Sequence, residues 1–320
     1  MKAVTLADLQ ASVQDSTAFS TLTDYLKVTE AFLALVKRTR PTRIVSPSHR
    51  NYIFFQYTED YGHKITRPLN ADLLIETSRD FHTAFERFAA FLSDLKRYGA
   101  AAAERKAHQT YLTAHELNRV VYTAQQAIGC IGDSFDNPNQ SRKRVGQLFE
   151  TLVKLIIQEA GLACEPRTIN IPIPDNPGYE MSYELDVVFS HNKAILASET
   201  HFIHPSEVVG SVKTTSKDRI DKIFLDKYLL TKLLGRNIPV VAIFLHDVQR
   251  AVRGNSIFGV NSTFKSNHFL GYTVALNKLD GVYYVDPRPE MLENKRLREQ
   301  IRDFQEFPGE DLWQLSTERD

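Results

Sequence analysis

The sequence has 320 residues, enough for one large or two modest domains with a substantial buried core. Hydrophobic residues make up 42% and charged residues 24%, which excludes a mostly disordered chain. Lys+Arg and Asp+Glu both number 39, which excludes a uniformly basic, histone-like binder but leaves room for a local basic patch.

The two cysteines, Cys130 and Cys164, are too few for a disulfide framework or a zinc cluster of their own, and they fit a reducing compartment. The sequence has no apolar run of about 18 residues, so no membrane span is predicted. The opening MKAVTLADLQ lacks the apolar stretch of a secretory signal. A cytoplasmic protein with no membrane partner is the expectation.

Residues 1–135 read as mainly helical. Leu22, Tyr25, Leu26, Thr29 and Leu33 recur at helical spacing, as do Phe81, Phe85, Phe88, Phe91, Leu92 and Leu95. Between these helices, Pro41, Pro47, Gly62 and Pro68 punctuate a strand-like NYIFFQY. TAHELNRVVYTAQQAIG predicts a further helix with Thr113 as N-cap, and GDSFDNPNQ a loop.

The pattern then changes over residues 136–250. RKRVGQLFETLVKLIIQEAG carries Val145, Leu148, Phe149, Leu152, Val153, Leu155 and Ile156 on one stripe and stops at Gly161. TINIPIP is a short extended piece, and SYELDVVFS, KAILAS and EVVGSVKTT are strand candidates. DKIFLDKYLLTKLLG predicts a helix, and IPVVAIFLH a strand apolar on both faces. Residues 251–320 read as an extension with a strand-like GYTVALNKLDGVYYV and a charged helical tail. The order predicts an α/β fold, a mixed central sheet flanked by helices, behind a mainly helical N-terminal region.

Two of these strands carry charge into an apolar pattern. By alternation Glu184, Asp186 and Val188 share a face, as do Val209, Ser211 and Lys213. An acid and a lysine on strands of a buried sheet are costly unless paired or used. Taken singly, Asp186 also fits a strand-edge acid, and Lys213 a snorkelling surface lysine.

RKRVGQLFE (142–150), ELD (184–186), SVKTTSKDR (211–219) and IPVVAIFL (238–245) together resemble the PD-(D/E)xK nuclease superfamily, and within it the type II restriction endonucleases. The resemblance covers about residues 140–245 and implies a restriction-endonuclease-like core over 136–250. It implies Mg2+-dependent hydrolysis of double-stranded DNA at a short sequence, by in-line attack of water on phosphorus. Asp186 would be the main metal ligand, Lys213 would orient the water and neutralise the phosphate, and Glu150 would be an outer or second-metal carboxylate. It also implies a homodimer reading a palindrome, and a companion DNA methyltransferase.

The pattern departs at Ser211, where the motif has an acid. Some type II enzymes with this Ser-x-Lys form recruit an acid from the following helix. Asp226 and Asp221 are the candidates there, with Glu199 and Glu207 elsewhere; Glu207 lies about 13 Å along its strand from Ser211. Lys217, Arg219, Arg142 and Arg144 are candidate DNA-backbone contacts.

Plainer readings stand beside these. Glu150 precedes Lys154 by four, an ordinary helix pair. Lys217, Asp218 and Arg219 fit a solvated helix start capped by Ser216, and Arg142–Arg144 a solvated face. His201 and His204 near Glu199 are too few for a metal centre. The alternatives in function are a non-specific or repair nuclease of the same superfamily, or a catalytically inactive DNA-binding module. Base readout is expected from the N-terminal region, residues 191–206 or residues 251–285.

Overall fold

A computed structural model describes residues 4–316 except Thr200 and Asp218, and the side chains in that range except Lys106 and Ala107. Asp218, part of the predicted helix start, thus lies outside the described residues. Helices α1 (Leu6–Gln14) and α2 (Leu22–Thr39) come first, then strands β1 (Thr42–Val45), β2 (Tyr52–Gln56) and β3 (Leu69–Asn70). Helices α3 (Ser78–Tyr98), α4 (Ala101–Glu104), α5 (Lys106–Thr113), α6 (Glu116–Asp133) and α7 (Pro138–Glu159) follow. Next are β4 (Ala163–Pro172), β5 (Glu180–Ser190), β6 (Val208–Thr215), α8 (Ile220–Leu234) and β7 (Val240–His246). The chain ends through β8 (Val248–Arg253), β9 (Ser256–Ser262), α9 (Ser266–Ala275), β10 (Gly281–Tyr284), α10 (Pro289–Glu293), β11 (Ile301–Asp303) and α11 (Leu312–Ser316).

These elements form two units. The first takes the described residues up to Ala90 with Tyr111–Leu152 and Asp247–Thr263. The second takes Phe91–Thr110, Val153–His246 and the described residues from Phe264 onward.

In the first unit α6 is buried at almost every position from Leu117 to Gly132. Its small and apolar residues let neighbouring elements close around it. The Tyr25 hydroxyl of α2 donates to the Leu148 carbonyl at 2.7 Å. Arg67 meets Asp133 in a two-pronged pair, with Nε at 3.0 Å and a terminal nitrogen at 2.9 Å. Strands β1–β3 form an antiparallel sheet, and β8 and β9 an antiparallel ribbon. Thr113 does not cap α6: it ends α5, and His115, in the left-handed region at φ 51°, is the N-cap.

The second unit is built on a six-stranded sheet in the order β11-β10-β7-β6-β5-β4. The β4–β5 and β5–β6 pairs are antiparallel, and the β6–β7, β7–β10 and β10–β11 pairs parallel. Helix α8 is the crossover between parallel β6 and β7. Every residue of β7 is buried. Ile223, Phe224 and Leu230 of α8 join Val188, Val209, Val240 and Ala242 in one buried cluster. Burying a side chain such as Phe224 contributes about 2–3 kcal/mol. Phe189 and Tyr283 pack against Phe307, with ring centroids 5.7 and 5.0 Å apart.

Helix α8 is also pinned by charge. Lys227 lies at an apolar-face position with 2% side-chain exposure. Its ammonium donates to Asp280 at 2.6 Å and to the Lys278 carbonyl at 2.5 Å, and Asp280 also accepts the Val240 N–H.

Several expectations change. KAILAS is not a strand: the buried Glu207 carboxylate accepts the N–H groups of Leu196 and Ala197, groups a ladder would need. GYTVA is helical within α9, and only GVYY forms a strand. The tail holds β11 as well as short helices. Helix α8 starts at Ile220 with Arg219 as N-cap, not Ser216.

Asp280→Ala leaves the Lys227 ammonium buried without its carboxylate, so chemical denaturation should show a loss of about 3–5 kcal/mol. A loss under about 1 kcal/mol would show that the pair is not a buried anchor. Cys130 and Cys164 are free and buried, and burial pushes both thiols well up. A thiol reagent at pH 8 should find neither in the native protein and both after denaturation.

Candidate active site

Strands β5 and β6 pair through Val187–Gly210, Val188–Val209 and Phe189–Val208. The next pair in that register would be Asp186 with Ser211. There the ladder stops and a side chain replaces it. Asp186 Oδ2 accepts the Val212 backbone N–H at 2.8 Å, the Ser211 hydroxyl at 3.2 Å and the Lys213 ammonium at 2.6 Å. The Asp186 and Lys213 side chains keep 17% and 29% exposure, so the group is sunk but reachable.

A bulge brings Asp186 to this place. The β4–β5 register runs through Glu165–Val188 and then jumps to Arg167–Leu185. Asp186 and Val187 therefore stand opposite the single residue Pro166. Proline has no N–H for the ladder, and such a position favours a bulge. The extra residue shifts the phase of β5. Tyr183 and Leu185 lie in the same core cluster as Val188, so the expected common face of Glu184, Asp186 and Val188 does not form.

The strands open onto a cavity of about 550 Å³. Asp186, Ser211, Lys213, Arg219, Lys222, Asp226 and Lys227 are among its lining residues, with Tyr183 and Ile223, and all of them belong to the second unit. Asp226 projects from α8, 3.6 Å from Lys222 one turn earlier. Burial holds its carboxyl above the ordinary aspartate range, and the nearby Asp186 charge adds to this, while Lys222 and Lys213 oppose it. Burial, with a smaller push from Asp226, takes the Tyr183 hydroxyl up to about 12.

Asp186, Ser211 and Lys213 are thus brought together, and Asp226 and Arg219 line the same cavity. Lys217 is exposed beyond the end of β6. Asp221 and Glu199 are exposed, and Glu207 is buried and holds the N–H groups of Leu196, Ala197 and His204. Glu150, half-buried, and Arg142, exposed, lie on the part of α7 that belongs to the first unit. The Arg144 guanidinium donates to the carbonyls of Val13 and Asp15 at 2.7 and 2.6 Å and ties down the end of α1. His201 and His204 bond to Ser198 and Ser206. Among the described residues no group of three or more His, Cys, Asp or Glu side chains is set to hold a metal ion.

Two charged lining residues, Lys222 and Lys227, were not among the sequence candidates. Lys222 was signalled by its i,i+4 spacing to Asp226. Lys227 was signalled by its place at helical spacing among Ile223, Phe224 and Leu230, an apolar stripe where a lysine needs a buried partner.

No protein-family model matches the sequence, and no curated protein sequence matches it. Solved structures do. The crystal structure of the Type IIP restriction endonuclease Kpn2I superposes with a TM-score of 0.67 at 18% identity, over 97% of this chain and 97% of that one. A complex of the restriction endonuclease PspGI with substrate DNA matches at a TM-score of 0.39 and 15% identity, over 75% of this chain and 93% of that one. With its mixed sheet flanked by helices and its full-length superposition on Kpn2I, the chain has the fold of a type II restriction endonuclease.

Proposed function

We propose that the chain is a magnesium-dependent, site-specific deoxyribonuclease that cuts both strands of DNA at a short sequence. The observation that carries this reading is the meeting of Asp186, Ser211 and Lys213 where β5 and β6 part, with Asp226 on the same cavity.

The donor set suits magnesium. That ion is held by one or two carboxylates and keeps several of its own waters. Asp186 and Asp226 supply two carboxylates on one cavity. The bonds to Ser211, Val212 and Lys213 all fall on Asp186 Oδ2, which leaves Oδ1 to face a cation. When bound, the ion supplies a water of lowered pKa and neutralises charge on the phosphate.

The chain's own residues do the rest. Ser211 is a poor cation ligand, and here its hydroxyl holds Asp186. Of the acids weighed for the place it leaves open, Asp226 lines the cavity. Lys213 holds its ammonium beside Asp186 on the cavity, where its positive charge would stand against a phosphate oxygen and the attacking water. The water oxygen forms the new bond to phosphorus as the bridging P–O bond opposite it breaks. Arg219 on the cavity and exposed Lys217 fit contacts to the DNA backbone. Reading a palindrome calls for a homodimer, and host protection for a companion methyltransferase.

The test is incubation of the full chain with long mixed-sequence DNA and magnesium. Discrete bands, abolished by EDTA, are the expected result. Lys213→Ala should lower the rate by about 10²–10⁴-fold with the fold intact. A smear lost under both conditions would instead mark a non-specific nuclease, and binding without cutting an inactive DNA-binding module.

Asp226→Asn should lower cleavage by about 10²-fold or more, partly offset by raised magnesium, while the exposed Asp221→Asn should cut at the wild-type rate. Equal rates for both variants would remove Asp226 from the site.

A further inference from the structure

The ribbon β8–β9 in the first unit has two unlike faces. Val248 and Val260 share a buried cluster with Tyr52 and Phe54, and Phe258 meets Phe54 at 5.6 Å between ring centroids. The Val260 N–H donates to the Ser48 hydroxyl at 2.9 Å. The base is pinned as well. The Thr263 N–H and hydroxyl donate to the Asp247 carbonyl at 2.7 and 2.6 Å, and the Ser262 hydroxyl donates to the Asp247 carboxylate. One face is therefore committed to the β1–β3 sheet.

The other face carries the ribbon's amide side chains, Gln249 and Asn261. In the register Gln249–Asn261 and Ala251–Gly259, these residues point away from the packed face. Arg253 lies on it too. A Cβ on Gly259 would come within 2.4 Å of Arg253 Cγ and 2.7 Å of the Ala251 carbonyl oxygen, so only glycine lets the arginine stem cross the ribbon. Its guanidinium reaches Asn261 and donates to the side-chain oxygen. Around the turn at Gly254 and Asn255, Val252 and Ile257 are 70% and 49% exposed. Residues 248–262 hold two arginines, Arg250 and Arg253, and no acid.

A two-stranded ribbon fits the major groove of duplex DNA, and Arg, Asn and Gln are the side chains that read base edges there. An acid-free, arginine-bearing ribbon has the charge for a polyanion. A guanidinium already held by Asn261 loses little freedom on binding. We infer that the outer face of β8–β9 enters a DNA groove and reads bases, with Arg253 and Asn261 as specificity-determining residues. The inference rests on the reading of the chain as a site-specific nuclease.

The test uses the full chain on its mapped cleavage site and on a set of single-base variants of that site. Wild type, Arg253→Ala and Asn261→Ala are compared for cleavage with magnesium, gel-shift binding without it, and Tm. The expected result is an unchanged Tm and a roughly 10- to 100-fold loss on the mapped site, with preference relaxed at one base position. Wild-type rates and preference in both variants would overturn the inference and leave the nuclease reading standing. A uniform loss on all sites with a shallower salt dependence would overturn it too, because that is the mark of a phosphate contact. A wild-type protein that neither cuts nor binds DNA would remove both readings.

Discussion

The carboxylate of Asp186 stands where the β5–β6 ladder would otherwise continue, and the geometry of the site follows from that substitution. A strand N–H buried in a sheet needs an acceptor. Val212 finds it in Asp186 Oδ2 rather than in a backbone carbonyl. The strands can then part beyond Val187 without orphaning that N–H, and the parting makes the cavity. The same oxygen takes the Lys213 ammonium. A half-buried acid and a half-buried lysine would each be costly alone, and here each offsets the other's lost hydration.

The supports of this arrangement come from both sides. On β4, Pro166 cannot donate to the ladder, and β5 answers with the bulge that carries Asp186. On the other side, α8 is fixed by an apolar face and by the buried Lys227–Asp280 pair, and so Asp226 is held on the cavity. A serine at the first motif position then has a physical role. Its hydroxyl bonds to Asp186, and Asp226 of α8 lines the same cavity.

The likeness to Kpn2I extends along nearly the whole chain, yet at 18% identity it fixes the fold alone. What the chain does with that fold rests on the chemistry of particular residues. The catalytic proposal rests on the cavity of the second unit, and the recognition proposal on the ribbon of the first. Each has its own observable, a rate in one case and a base preference in the other.

The sequence by itself determined the mixed sheet, the helix between Lys213 and β7, and the pairing of an acid with a lysine two positions after a serine. These are legible because periodicity reports burial and because charge in an apolar strand demands a partner. It also narrowed the acid that accompanies Ser211 to a few residues. Only the tertiary structure separated Asp226, on the cavity, from Glu207, whose carboxylate is spent on the N–H groups of Leu196, Ala197 and His204. It also decided that KAILAS is irregular, that GYTVA is helical, that His115 rather than Thr113 caps α6, and that Arg144 ties down α1. The bulge at Asp186 belongs here too, although Pro166 was its visible sign. The physical reason is common to all of them. Local pattern states which face of an element is buried, but a carboxylate or guanidinium bonds to whatever groups the fold brings within about 3 Å, and those groups are distant in sequence.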